Sequence, residues 1–205
     1  GQAHMDAALH ALAYLRGSID QDLVYTTSAD PAHGSLWGWV DADYAGCQDT
    51  RKSHTGYVLM LNGAAISWKS KRQRTVSLSS AESEYIAASH CSQEVIYLRE
   101  ILRGFNCAQD EPTVIFEDNQ ACIAMSENQV HRERSRHIDV RKYFVRDLVD
   151  DKVLKLIHCK TNEMVADALT KSLPYPSFSL HREKMTGIVQ VNSLFLAKSG
   201  GSLWL

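Results

Sequence analysis

Between residues 80 and 104 the apolar positions Ala88, Cys91, Val95, Leu98 and Leu102 recur at alternating steps of three and four. That is the period of a helix with one face turned to a core. Ser79 or Ser80 suits its N-cap, Glu82 completes a capping box with Ser79, and Gly104 suits its C-cap. Upstream, three apolar runs predict strands at Leu36–Ala42, Thr55–Leu61 and Ala65–Lys69, the last two joined as a hairpin through Asn62–Gly63. Downstream, the pattern predicts a fourth strand (Thr113–Asp118), a short helix from Asn119 to about Ser126, a helix over Ile138–Asp150, a fifth strand (Val153–His158) and a final helix over Glu163–Lys171 closed by Pro174 and Pro176. A short amphipathic helix (Ala3–Arg16) and a brief strand (Leu23–Thr26) precede all of this. The order β-β-β-α-β-α-α-β-α implies a mixed sheet with helices packed on it, an α/β domain. The stretch from about Ser177 to Leu205 is weakly patterned, and no internal repeat is visible.

Four carboxylates stand out against this frame. Asp41 ends the first strand, where alternation puts it on one face with Trp37 and Trp39, and Asp118 ends the fourth. Asp167 lies on the last predicted helix. Glu84 is reached by counting the apolar stripe of the long helix backwards from Leu102, so it faces the sheet, where a carboxylate is costly without compensation. Glu82, about 200° away around the helix, falls on the side of Ser89, Gln93 and Glu100 and is expected to face solvent. Carboxylates brought together repel one another, and such a cluster persists when cations neutralise it. Hard oxygen ligands select Mg²⁺ or Mn²⁺ over zinc, and two such ions can clamp a phosphodiester for in-line displacement. Spacing alone does not establish that the four converge.

Composition narrows the field without deciding it. The chain has 205 residues, 44% hydrophobic and 22% charged, which fits one domain of ordinary size with flanking chain. No apolar run is long enough for a membrane helix, and the N-terminus lacks the pattern of a signal peptide. It begins at Gly1, which fits a piece of something longer. Cys47, Cys91, Cys107, Cys122 and Cys159 form no C-x-x-C pair and read as free thiols of a reducing compartment rather than a zinc site. The net charge of −2 does not itself suggest a nucleic-acid binder, but basic residues gather in two runs: Lys69, Lys71, Arg72 and Arg74, then Arg132, Arg134, Arg136, Arg141 and Lys142.

The runs WVDADYAG, RKSHTGYVLMLNG, ISWKSKRQRTVSLSSAESEYIAAS, VIFEDNQACIAM, RSRHIDVRKYFVRDLV and NEMVADALTKSLP closely resemble the ribonuclease H domain of copia-type retrotransposon polyproteins, over about residues 36–174. The segment HMDAALHALAYLRGSID resembles the end of the reverse transcriptase connection just upstream. The resemblance implies a ribonuclease H-like fold with a five-stranded mixed sheet. It divides the chain into an N-terminal helix and linker (1–34), a ribonuclease H domain (35–174) and a tail (175–205). It also implies an Asp-Glu-Asp-Asp site holding two Mg²⁺ ions, for which Mn²⁺ can substitute. Matched motif by motif, the site residues are Asp41 of VDAD, Glu84 of SEYIAA, Asp118 of EDNQ and Asp167 of VADALTK, with Asp43, Glu82 and Glu117 as runners-up at the first three. Cellular ribonucleases H carry a histidine in the loop before the last helix. Here that stretch is HCKTNEMVAD, and His158, at the strand end, is not its equivalent. His54, His90, His131 and His137 read as structural or solvent-exposed.

The implied activity is hydrolysis of the RNA strand of an RNA–DNA hybrid during reverse transcription, with the polyprotein's reverse transcriptase as partner and no membrane. The implied setting is a cytoplasmic virus-like particle or the nucleus, not secretion. In that role Lys69, Lys71, Arg72 and Arg74, in a loop before the long helix, would follow one phosphate backbone, and Arg134, Arg136 and Arg141 the other strand. Ser79, Ser80, Asn119 and Gln120 are candidates for the 2′-hydroxyl contacts that tell RNA from DNA, or for helix caps. Two other readings stay open: a catalytically silent or domesticated module that binds nucleic acid or scaffolds a polymerase, and an integrase- or transposase-type nuclease on the same fold. The second commonly uses three acidic residues rather than four.

Overall fold

A computed structural model describes residues 1–26, 34–127 and 136–188. Its elements are α1 (Gln2–Gly17), β1 (Trp37–Asp43), β2 (His54–Leu61), β3 (Ala64–Arg72), α2 (Ser80–Gly104), β4 (Thr113–Glu117), α3 (Gln120–Glu127), α4 (Arg136–Asp150), β5 (Leu154–His158) and α5 (Tyr175–Thr186). The five strands form one sheet in the order β3-β2-β1-β4-β5. β1 pairs antiparallel with β2 and β2 with β3, whereas β1–β4 and β4–β5 are parallel. This is the mixed five-stranded sheet of an α/β, ribonuclease H-like fold. The hairpin turn falls on Asn62 and Gly63, both at positive φ, as a tight primed turn requires.

Alternation along the strands feeds two cores. Leu36, Val40, Ala42, Tyr57, Leu59 and Ile115 face α2, α3 and α4. Trp37, Trp39, Val58, Met60 and Phe116 face the other way, onto Met164, Val165 and Ala166. Fully burying side chains such as Leu59 or Val58 contributes about 1.5–3 kcal/mol each. α2 carries Ala88, Cys91 and Val95 into the first core, with Leu98 and Leu102 partly buried beside it. Its N-cap is Ser79, whose hydroxyl accepts from the Glu82 N–H, and Glu82 in turn accepts from the Leu78 N–H. Ser89, expected on the solvent side, is buried, because α4 packs across the same helix.

Several elements differ from the pattern reading. Leu23–Thr26 is no strand: Val24 N–H donates to Thr186 O and Thr26 N–H to Asn62 O, two different partners that make no ladder. β3 runs on to Arg72 because β2 begins at His54 and keeps pairing with it, so Lys69, Lys71 and Arg72 stand on a strand and not in a loop. Glu163–Lys171 is not an α-helix but two 3-10 turns, Thr161–Glu163 and Val165–Leu169. Pro174 and Pro176 open α5 rather than ending the preceding element, since a first-turn proline lacks only an N–H the helix would leave unpaired anyway. α5 packs on β3 and on the second 3-10 turn.

Candidate active site

β1 and β4 run parallel as neighbours, so their carboxyl ends open on the same edge of the sheet. Trp39 pairs with Phe116. Two residues further along each chain, on the same face, come Asp41 and Asp118. A crevice beyond the carboxyl ends of adjacent parallel strands is where open α/β sheets bind ligands. The N-terminal part of α2 brings Glu84, its fifth residue, to the same edge. Oxygens of Asp41, Glu84 and Asp118 all lie within 4.8 Å of one another. Asp41 is fully buried, Glu84 is 5% exposed and Asp118 is partly exposed.

Asp167 joins from the second 3-10 turn. Lys171 Nζ lies 2.7 Å from Asp167 Oδ1 and 3.1 Å from Asp41 Oδ1, and the Thr170 hydroxyl donates to Asp41 Oδ2. This turn reaches the sheet because Gly56, the β2 partner of Asp41, has no side chain. A Cβ there would stand 2.5 Å from Thr170 Cγ2 and 3.1 Å from the Ala166 carbonyl.

Charge is unevenly balanced across the site. Burial, then the charges of Glu117, Asp41 and Asp118, push Glu84 far above the usual carboxylate range. Glu117 is buried between Glu84 and α3. It accepts from the Asn119 N–H at 3.0 Å, and burial raises it to about 8. Glu84 Oε2 and Glu117 Oε2 are buried with no hydrogen-bond partner. Among the described residues neither Glu84 nor Asp118 has an ion-pair partner. Asp167, raised by burial to about 6, does have one: Lys171. Burial opposes the Lys171 charge, but Asp41 and Asp167 outweigh it and hold the ammonium above its ordinary value. An all-oxygen set with unpartnered buried carboxylate atoms suits a hard divalent cation.

The runners-up separate from this cluster. Asp43 lies against Gly46 in the turn after β1, and Glu82 caps α2. Glu117 is close to Glu84 but on the α2 side of the sheet. Of the basic residues, Lys69, Lys71, Arg74 and Arg141 all act on His90 of α2, which burial and these four cations hold below its ordinary value. Arg72 points elsewhere, toward Cys47 Sγ. The helix position of Arg136 is described but not its side chain, and Arg132, Arg134 and His131 lie outside the described residues. Ser79 and Asn119 are occupied as caps of α2 and α3, while Ser80 and Gln120, the first residues of those helices, are exposed. Gly56, Thr170 and Lys171 were missed by sequence reasoning. The four-residue spacing of Asp167 and Lys171 was the one available signal.

A 183-residue stretch, 89% of the chain, is 43% identical to the retrovirus-related Pol polyprotein from transposon TNT 1-94 of Nicotiana tabacum. A second, from transposon RE2 of Arabidopsis thaliana, is 32% identical over 188 residues, 92% of the chain. The chain belongs to the retrovirus-related Pol polyproteins of transposons. It spans 13% of the length of either relative, so it corresponds to one piece of such a polyprotein. No family model matches it. A solved ribonuclease H1 from a compost metagenome, LC11, overlays 67% of this chain and 93% of its own at a TM-score of 0.49 with 11% identity. The same enzyme in complex with an RNA/DNA hybrid gives 0.47 with 12%. At these scores the likeness adds nothing to the fold, which rests on the strand order and pairing above.

Proposed function

We propose that this part of the polyprotein is a ribonuclease H: a divalent-metal-dependent endonuclease that hydrolyses the RNA strand of RNA–DNA hybrids beside the reverse transcriptase of the same polyprotein. The observation that carries the reading is the convergence of Asp41, Glu84 and Asp118, with Asp167 alongside, at the mouth of two parallel strands. In it, Asp41, Glu84 and Asp118 would hold one Mg²⁺ ion, and Asp41 with Asp167 a second. Bound there, the ions would supply an activated water and neutralise the departing oxygen. The protein's own part is positioning. Thr170 fixes one oxygen of Asp41, and the α2 cap fixes the start of the helix that bears Glu84. Lys69, Lys71, Arg74 and Arg141 lie within electrostatic reach of one residue, His90, and offer a basic surface for phosphates. Ser80 and Gln120, both exposed, are the candidates for 2′-hydroxyl contact.

One observation favours a second reading. Lys171 already neutralises half of the site, as a catalytically silent nucleic-acid-binding module would allow. The test is a labelled RNA–DNA hybrid incubated with Mg²⁺ or Mn²⁺, with EDTA and an Asp118→Asn variant as controls. Cleavage confined to the RNA strand, dependent on the ion and absent from the variant, supports the nuclease. Binding of the hybrid without cleavage, also with the upstream polymerase joined, selects the silent module.

A further inference from the structure

The four carboxylates form two unequal ion positions. Oxygens of Asp41, Glu84 and Asp118 lie within 4.8 Å of one another, and among the described residues Glu84 and Asp118 have no ion-pair partner, Lys171 reaching this side only through Asp41 and at a distance from Glu84. Between Asp41 and Asp167 the space is filled by the Lys171 ammonium, which takes one oxygen from each. A Mg²⁺ ion bound by those two oxygens would sit about 2.0–2.1 Å from them, inside the volume the ammonium fills. Two cations that close repel strongly in a partly buried site, so occupancy is exclusive.

The surroundings also let the ammonium leave. The Lys171 side chain is 33% exposed and its four-carbon stem is flexible. Asp41 does not depend on it for orientation, because Thr170 holds the other oxygen. The turn bearing Asp167 also rests on Gly56, a contact that does not involve Lys171.

We propose that Lys171 is a resident counter-cation that occupies the second ion position and swings out when a divalent ion enters it, so that the two ions bind in order and with unequal affinity. This rests on the metal-centre reading above and specifies how that centre fills. Lys171 is a positioning residue in the metal-free protein and a competitor of the second ion.

The test is calorimetric titration of Mg²⁺ and Mn²⁺, without substrate, into the wild-type chain, Lys171→Met and Asp118→Asn. The expected result is one tight and one weak ion for wild type, with the weak site strengthened about tenfold or more in Lys171→Met. A parallel measurement needs no variant. Reductive methylation of wild-type lysines, mapped by mass spectrometry, should show Lys171 protected in EDTA and several-fold more reactive at saturating Mg²⁺. A second-site affinity unchanged or weakened in Lys171→Met, or Lys171 reactivity that ignores a bound ion, overturns the proposal. Ion binding that survives Asp118→Asn undamaged overturns the metal-centre reading itself. Binding lost in Asp118→Asn but indifferent to Lys171→Met overturns only the role of Lys171.

Discussion

The two halves of the carboxylate cluster share Asp41 yet meet the cost of buried charge by different means. Toward Asp167 the protein supplies a cation: Lys171 sits between two carboxylates, and a hydroxyl satisfies what remains. Toward Glu84 and Asp118 it supplies no ion pair among the described residues, and Lys171 only tempers Glu84 from a distance. Glu84 and Glu117 each keep an unpartnered buried oxygen, and burial with mutual repulsion drives both toward the protonated form. The first half is self-sufficient. The second is strained until something positive and hard arrives, which is the expected signature of a site kept for a ligand rather than for stability. The 3-10 turn and its Gly56 contact serve the first half. The parallel strand ends and the capped helix serve the second.

The largest effect should come from the residue the halves share. Asp41→Asn removes an oxygen charge from both ion positions at once, and cleavage of a hybrid should fall by at least about 10²–10³-fold, as when a preorganised charge-stabilising group is removed. Because Asp41 is also the partner of Lys171 and Thr170, its metal-free stability will change as well. Circular dichroism should still report a folded chain. Cleavage within a few-fold of wild type would mean that the halves do not share an ion-binding residue.

Next, Gly56→Ala separates the halves. The new methyl would press on Thr170, Ala166 and Leu169 and push the turn bearing Asp167 away from the sheet. A displacement near 1 Å is enough to cost about 10²-fold in rate. Tight binding of one ion by Asp41, Glu84 and Asp118 should persist, since the atoms nearest a Cβ at Gly56 all belong to Ala166, Leu169 and Thr170, in and just after the turn that bears Asp167. Loss of both ions in titration would show that the halves are one rigid unit.

A titration of stability follows from the unequal charge balance. Asp167 and Glu117 are raised from 3.8 to about 6 and from 4.5 to about 8. The folded chain therefore keeps protons that the unfolded chain has released. Their contribution is fully present below the ordinary values and is lost as pH rises through the raised ones. Metal-free Tm should fall between about pH 4 and pH 8 for this reason. Most of the fall above about pH 7 should come from the Glu84–Glu117 side, because by then Asp167 is largely deprotonated and keeps its lysine. Saturating Mg²⁺ should flatten that upper part. Parallel Tm curves with EDTA and with Mg²⁺ would mean that the ion does not relieve this strain.

What could be read from the sequence divides along the same line. The half built from local signals was legible. The period of α2 and its N-cap are written in local residues, and counting its stripe put Glu84 toward the sheet; its C-cap is Phe105, one residue past the expected Gly104. Strand alternation put Asp41 on the face of Trp37 and Trp39, and the structure agrees. The half built from tertiary closeness was not. The five residues Val165–Leu169, followed by Thr170 and Lys171, resemble a helix turn as well as a 3-10 turn. Nothing local says that Gly56, in a strand more than a hundred residues earlier, is the floor it rests on. Pro174 and Pro176 could be read as a stop or a start, and only the packing of α5 on β3 decides for a start. The basic run was legible as charge but not as direction. Strand pairing turns Lys69 and Lys71 toward α2 and Arg72 toward Cys47.

The smallest effect tests whether the strained half relies on its helix cap. Ser79 is exposed, and its hydroxyl accepts one N–H, that of Glu82, at 3.1 Å. Ser79→Ala should cost about 1 kcal/mol, a fall in Tm of about 2–4 °C for a chain of this size. The loss should be larger in EDTA than in Mg²⁺, because an ion bound through Glu84 tethers the same end of the helix from its other side. Differential scanning calorimetry in both buffers measures this directly. An equal loss in both would mean that the cap and the ion act on separate parts of the helix, and that the position of Glu84 is set by the core stripe below it and not by the helix start.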